Sequence, residues 1–192
     1  EHRRKGYATQ LLRRALADLA KAGRAALLDA TPAGREVYSL EGFRDTWGFK
    51  RFVAADCRGF AFAAGEVREL RPGDWPQIAT LDHMAFGGDR VDLLRSLADR
   101  LPRSAWVCER GGKLSGFVLG REGRQANQVG PLVARDDATA QMLVSSGLSR
   151  LTAPAYVDLV DRVVPARGFA FQRPFTRMVH GADCAPGDKA LV

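Results

Sequence analysis

A glycine turn that runs straight into an amphipathic helix can hold an anion. Residues 3–12, Arg3-Arg4-Lys5-Gly6-Tyr7-Ala8-Thr9-Gln10-Leu11-Leu12, have that form. The first amides of an α-helix have no intrahelical partners, and the aligned peptide dipoles place roughly half a positive charge at that end. Together they make a cradle for a diphosphate. Gly6 lets the backbone approach closely, Ala8 leaves the first turn unobstructed, and Arg3, Arg4 and Lys5 supply mobile positive charge. With Tyr7 and Thr9, these residues form the candidate anion-binding set.

Other chemistry is thinly represented. Cys57, Cys108 and Cys184 are scattered, with no CxxC pair and no histidine at ligand spacing, so neither a metal site nor a disulfide framework is expected. Unpaired cysteines suit a reducing cytoplasm. His2, His83 and His180 are isolated and read as surface or packing residues. The balance of 29 Lys+Arg against 22 Asp+Glu gives a net charge of +7. That excess favours an anionic partner, either a phosphate-bearing cofactor or nucleic acid. No apolar run approaches the ~18 residues of a membrane span.

The elements that must position the loop follow from periodicity. Leu11, Leu12, Ala15, Leu16, Leu19 and Ala20 recur at helical spacing, so residues 7–22 read as a helix stopped by Gly23. A buried strand is expected over 25–30, a turn at Pro32 and Gly34, a short helix over 34–41 ending at Gly42, and a strand over 49–54. Residues 55–65, rich in Ala and Gly, read as a linker that Phe60 and Phe62 are expected to pack against a neighbour. A new unit starts at Val67, with Asp74 as the expected cap of a helix over 75–86, and a second helix over 91–101. Gly111-Gly112 marks a hairpin between strands near 106–109 and 114–121. A strand over 127–134, a helix over 136–150 and strands over 156–160 and 169–179 complete the order. The alternation implies an α/β (α+β) fold.

An internal repeat organises these elements. Gly42-Phe43 is followed by Phe49 and Arg51, and Gly168-Phe169 by Phe175 and Arg177, at the same offsets of one, seven and nine from the glycine. Upstream, Gln10-Leu11-Leu12 matches Gln141-Met142-Leu143, and Leu27-Leu28-Asp29 matches Tyr156-Val157-Asp158. The register drifts from 131 to 129 to 126, as small loop deletions would produce. The chain thus reads as two copies of one α/β unit, the first lacking its front half. In the second copy, Ala134, Asp137 and Thr139 replace Arg3, Gly6 and Ala8. Asp136 and Asp137 at that helix start would stabilise the helix and repel a diphosphate.

Arg3, Gly6 and Ala8 resemble the Arg/Gln-x-x-Gly-x-Gly/Ala motif of the GNAT N-acetyltransferases, and residues 27–43 resemble that family's next strand, short helix and Gly-Phe turn. The second half is similar to a C-terminal GNAT-related domain of bacterial tandem acetyltransferases. That similarity lies at Leu81-Asp82, 85–90, 120–123, 130–134 and 173–178, and the two resemblances cover nearly the whole chain. They imply two GNAT-like mixed-sheet units, the first incomplete: residues 1–55 as the C-terminal half of an acetyl-CoA-binding domain, 56–65 as linker, 66–181 as a degenerate second domain and 182–192 as tail. Because the chain opens inside a fold unit, it reads as part of a longer protein.

The resemblance further implies transfer of acetyl from acetyl-CoA to a primary amine, with the acetyl-CoA pyrophosphate on the Gly6 loop. Tyr38, four residues before Gly42, sits where the family has a tyrosine thought to protonate the departing thiolate. A phenol of pKa about 10 carries its proton at neutral pH and can donate it. Asp82, Asp89 and Arg90 fall in an expected loop, placed to hold a polar substrate or, equally, to cap helices and pair as ions. The acceptor would be a small-molecule or peptide amine, a homodimer is compatible, and neither a membrane nor a nucleic-acid partner is favoured. The alternatives are a non-catalytic acyl-CoA-binding or regulatory module, and nucleic-acid binding by the basic first helix.

Overall fold

The structure is a computed structural model that describes residues 5–152, 154–161, 163 and 168–191. Its elements run α1 (Tyr7–Lys21), β1 (Ala26–Ala30), α2 (Pro32–Leu40), β2 (Arg44–Ala54), β3 (Val67–Glu69), α3 (Trp75–Phe86), α4 (Val91–Arg100), β4 (Trp106–Arg110), β5 (Lys113–Arg121), β6 (Asn127–Ala134), α5 (Asp137–Leu148), β7 (Ala155–Val160) and β8 (Phe169–His180). The fold is mixed α/β, with eight strands in a mixed sheet among the described residues. The chain divides into two compact units. One is Glu1–Gly48 with Pro174–Ala185, and the other is Phe49–Arg173 with Pro186–Val192. Strands β2 and β8 each contribute residues to both.

In the first unit the strand order is β1-β8-β2. β1 pairs antiparallel with β8, from Ala26 opposite His180 to Ala30 opposite Thr176. Strand side chains alternate between faces. Ala26, Leu28 and Ala30 therefore share a side and join Phe43 and Met178 in a core cluster, on which Leu12 and Leu16 of α1 and Tyr38 of α2 pack. Leu12 and Leu16 lie one turn apart on the buried flank of α1. Leu11, counted with them from periodicity, is instead 72% exposed. A stripe of two apolar positions suffices to seat α1, and Leu11 falls to its side.

Helix α2 starts two residues earlier than periodicity suggests. The Thr31 hydroxyl accepts the Gly34 amide at 3.2 Å, and Pro32 occupies the first helical position, where its missing N–H costs nothing. The helix ends as expected at Gly42, whose φ of +87° a side chain resists. There the Phe43 amide reaches the Tyr38 carbonyl and the Gly42 amide reaches that of Ser39, both at 3.1 Å. β2 then begins at Arg44, five residues before the expected start. The Thr46 hydroxyl donates to the Arg177 carbonyl at 2.9 Å, so the ladder continues through Gly48.

In the second unit the order is β2-β7-β6-β5-β4-β3. β3 to β6 form an antiparallel meander, with the Gly111-Gly112 turn where the sequence predicts it. β7 runs parallel to β6 and antiparallel to β2. β5 is buried on both faces. Phe117 and Leu119 meet Ile78 and Leu81 of α3 and Leu94 of α4. On the opposite face, Gly116 and Val118 leave room for α5, whose Leu143, Thr139 and Gly147 come close.

Two segments behave differently from their sequence reading, and a third, residues 55–65, packs as its Phe60 and Phe62 suggest. Asp74 makes no side-chain cap to α3. Its carboxylate accepts the Arg71 amide at 2.7 Å and both Nη1 and Nη2 of Arg68 at 2.8 and 2.7 Å, because a charged, bidentate donor outcompetes a helix amide. Residues 55–65 are packed: Cys57 is fully buried, the Ala63 amide donates to the Ser146 hydroxyl, and Phe60 meets Phe169. In the final segment, Leu191 is buried in the core of the second unit and the Asp188 amide donates to the Met84 carbonyl at 2.9 Å. Pro165, around which the element order of the second copy suggests a short helix, lies outside the described residues.

Candidate functional site

The loop residues open α1 of the first unit. Gly6 stands just before the helix at φ 74° and ψ 3°, a left-handed conformation that admits glycine readily. Among the described residues no side chain caps the helix, and its first turn carries no acidic residue. Nothing among the described residues lies within 4 Å of where a Gly6 Cβ would stand. Lys5, Gly6, Tyr7 and Ala8 are exposed and Thr9 half-buried. The Gly6 carbonyl accepts the first helical bond, from the Gln10 amide at 3.0 Å. Uncapped amides under an open turn are available to an external acceptor. Arg3 and Arg4 lie outside the described residues.

Helix α5 begins in the opposite way. Asp136 accepts the Thr139 amide at 2.7 Å and pairs with Arg110 at 2.9 Å, and Asp137 stands in the first turn. The Thr139 amide, supported by Arg110, holds the Asp136 carboxyl below its ordinary range. This helix start already carries its own anion.

Tyr38 is half-buried on α2 and shares a cluster with Leu12 and Leu16 of α1. Its ring lies over Gly34, one turn earlier, where a Cβ would stand 3.2 Å from Cε2. Its other flank packs edge-on against Phe43, with centroids 5.8 Å apart. Arg13 of α1 grips Glu41, at the end of α2, through two bonds of 2.7 and 2.9 Å. From sequence, Tyr38 is assigned to the site and Gly34 only to a turn, while Glu41 and Arg13 are given no role in it. Gly34 has a signal in hindsight, a residue without a side chain four positions before an aromatic on one helix face.

Asp82 lies on α3 of the second unit, not in the expected loop, and Asp89 and Arg90 lie between α3 and α4; Asp82 pairs with Arg90, while Asp89 holds a backbone amide. Asp82 is 2% exposed and receives both Nε and Nη2 of Arg90 at 2.8 Å. Arg90 stacks on Phe86 at 3.9 Å, and Asp89 accepts the Val91 amide at 3.1 Å. No group of metal ligands occurs among the described residues, and no described helix is long and apolar enough to cross a membrane.

The fold has solved counterparts. A candidate acetyltransferase from Pyrococcus horikoshii superposes with a TM-score of 0.72 at 21% identity, covering 99% of this chain and 65% of that one. A GCN5-related N-acetyltransferase from Sphaerobacter thermophilus superposes with a TM-score of 0.59 at 14% identity, covering 99% and 72%. In sequence, the chain is 23% identical over 133 residues to the uncharacterized N-acetyltransferase YitH of Bacillus subtilis, spanning 69% of this chain and 47% of that protein. The chain thus spans about half the length of that relative. The acetyltransferase (GNAT) domain model matches residues 78–192, more than half of the sequence and most of the second unit. On that match, with the mixed sheet and parallel β6–β7 pair that carry it, the chain belongs to the GNAT acetyltransferase family.

Proposed function

We propose that this chain serves transfer of an acetyl group from acetyl-CoA to a primary amine, with the pyrophosphate on the Gly6 loop. One observation carries the reading: in a GNAT chain, a left-handed glycine opens into a helix start that, among the described residues, has no side-chain cap, no acid in its first turn and nothing packed over the glycine. Lys5 and the preceding Arg3 and Arg4 would surround the anion, with the amides of Tyr7, Ala8 and Thr9 beneath it. The acidic start of α5 would not serve the same purpose, so one cofactor site is expected in two copies of the unit. The matched offsets of Gly42 and Gly168 support that two-copy reading.

In the reaction, the amine lone pair attacks the thioester carbonyl and the C–S bond breaks as the tetrahedral intermediate collapses. The CoA thiolate leaves, and the phenol of Tyr38 supplies its proton. The amine gives up its own proton to a base that this sequence does not identify. The Tyr38 hydroxyl has no hydrogen-bond partner among the described residues, which leaves it free to donate. The Asp82–Arg90 pair and the backbone amide held by Asp89 favour a structural role for these residues over an acceptor site.

Calorimetry with acetyl-CoA tests the site: Gly6→Glu should abolish binding, and binding that survives would remove the loop from the site. Tyr38→Phe should lower turnover on a panel of amines and leave acetyl-CoA affinity nearly intact. Binding without turnover on any amine would favour an acyl-CoA-binding module. Nucleic acid is a weaker reading, because Arg13 and Arg14 of α1 are already paired with Glu41 and Asp18. A reducing cytoplasm suits the thiols of Cys57, Cys108 and Cys184.

A further inference from the structure

We infer that His180 is a positioning residue for Tyr38, delivered to the first unit by the last strand of the second copy. The inference rests on the two-copy and Tyr38 readings above. The repeat equates Asp29 with Asp158 and Arg51 with Arg177, and the strand pairings cross between copies. Asp29 stands opposite Arg177 on β8, bonded at 2.8 and 2.9 Å. Asp158 stands opposite Arg51 on β2, bonded at 2.7 Å twice. Each arginine also lies over an aromatic ring, Trp47 at 4.6 Å and Tyr156 at 5.4 Å. Each copy therefore closes on the other's terminal strand, and the first unit accordingly includes Pro174–Ala185.

His180 ends that borrowed strand. Its Cδ2 lies 3.2 Å from where a Gly42 Cβ would stand. Its ring centroid is 5.4 Å from that of Phe43, whose other contact is the Tyr38 ring at 5.8 Å. His180 thus backs the turn that ends α2, at the point where the Phe43 amide bonds the Tyr38 carbonyl. Removing the imidazole frees Phe43 to tilt, and the phenol moves with it.

The chain has three tyrosines, Tyr7, Tyr38 and Tyr156, so fluorotyrosine labelling of the full chain yields three 19F signals, assigned by single Tyr→Phe changes. His180→Ala and His180→Gln should shift or broaden the Tyr38 signal alone, and His180→Phe, which keeps a ring in place, should restore it. An unmoved Tyr38 signal, equal movement of all three, or no restoration by His180→Phe would overturn the inference. Should His180→Ala unfold the protein, the Gln-against-Phe comparison decides the same question. This readout is independent of turnover, so an unchanged rate in Tyr38→Phe would sink the catalytic reading and leave the positioning result standing.

Discussion

Tyr38 is held from three sides, by Gly34 beneath its ring, Phe43 beside it and the cluster it shares with α1. Gly42→Ala would bring a Cβ to both a left-handed backbone and the His180 ring; a loss of about 1–2 kcal/mol is expected, read by denaturant unfolding. Arg90→Ala leaves the Asp82 carboxylate buried without its bidentate partner, and about 3 kcal/mol of stability should go with it. If the pair instead served the acceptor, the variant would keep its stability and lose amine affinity. Asp74 tests the acid limb. Arg68 foremost, with the Arg71 amide, holds its carboxyl below the ordinary 3.8. A lowered folded value means the unfolded chain takes up the proton first, so this contribution is complete above pH 3.8 and is lost as pH falls through the lowered value. In Asp74→Asn the pH dependence of unfolding below about pH 4 should flatten; an unchanged slope would show that other carboxyls govern it.

At the level of elements, α1 and α5 begin in opposite ways. Asp136→Ala removes the side-chain acceptor of the Thr139 amide and should cost about 1 kcal/mol, as cap losses do. The crossed strand pairing makes a sharper forecast. A double-mutant cycle should find coupling of about 1 kcal/mol between Asp29 and Arg177 and between Asp158 and Arg51, with none for Asp29–Arg51 or Asp158–Arg177. Coupling in the second set would mean that each copy keeps its own last strand. Much of this level is legible beforehand, because α1, α3, α4 and the β4–β5 hairpin follow from spacing and turn residues. The early start of β2 is not, since the Thr46 bond to the Arg177 carbonyl joins residues far apart in sequence.

For the whole molecule, a ligand that binds only the folded state stabilises it by mass action. Acetyl-CoA at a hundred times its Kd should add about 2.7 kcal/mol, and the gain should vanish in Gly6→Glu. Thermal unfolding with and without acetyl-CoA measures it. Thiol labelling reports on the rest of the fold. Cys57 is fully buried, which pushes its thiol up to about 11, Cys108 is buried and Cys184 is exposed. An alkylating reagent at neutral pH should modify Cys184 alone in the native protein; rapid labelling of Cys57 would show that residues 55–65 open readily.

The sequence by itself determined the local chemistry. A glycine, a basic flank and a helix start are contiguous, so their anion-binding character needs no distant partner. The Gly42 turn and the carboxylates that open α5 are legible for the same reason, because caps and turns are written within four or five residues. The tertiary structure decided every pairing between remote positions. Asp82 could have faced solvent or substrate until its burial against Arg90 left it little else to bind. His180 is an isolated histidine in the chain, and only the antiparallel register of β8 on β1 brings its ring to Gly42 and Phe43. Register depends on which strands find each other, and that choice leaves no local mark in the residues that it joins.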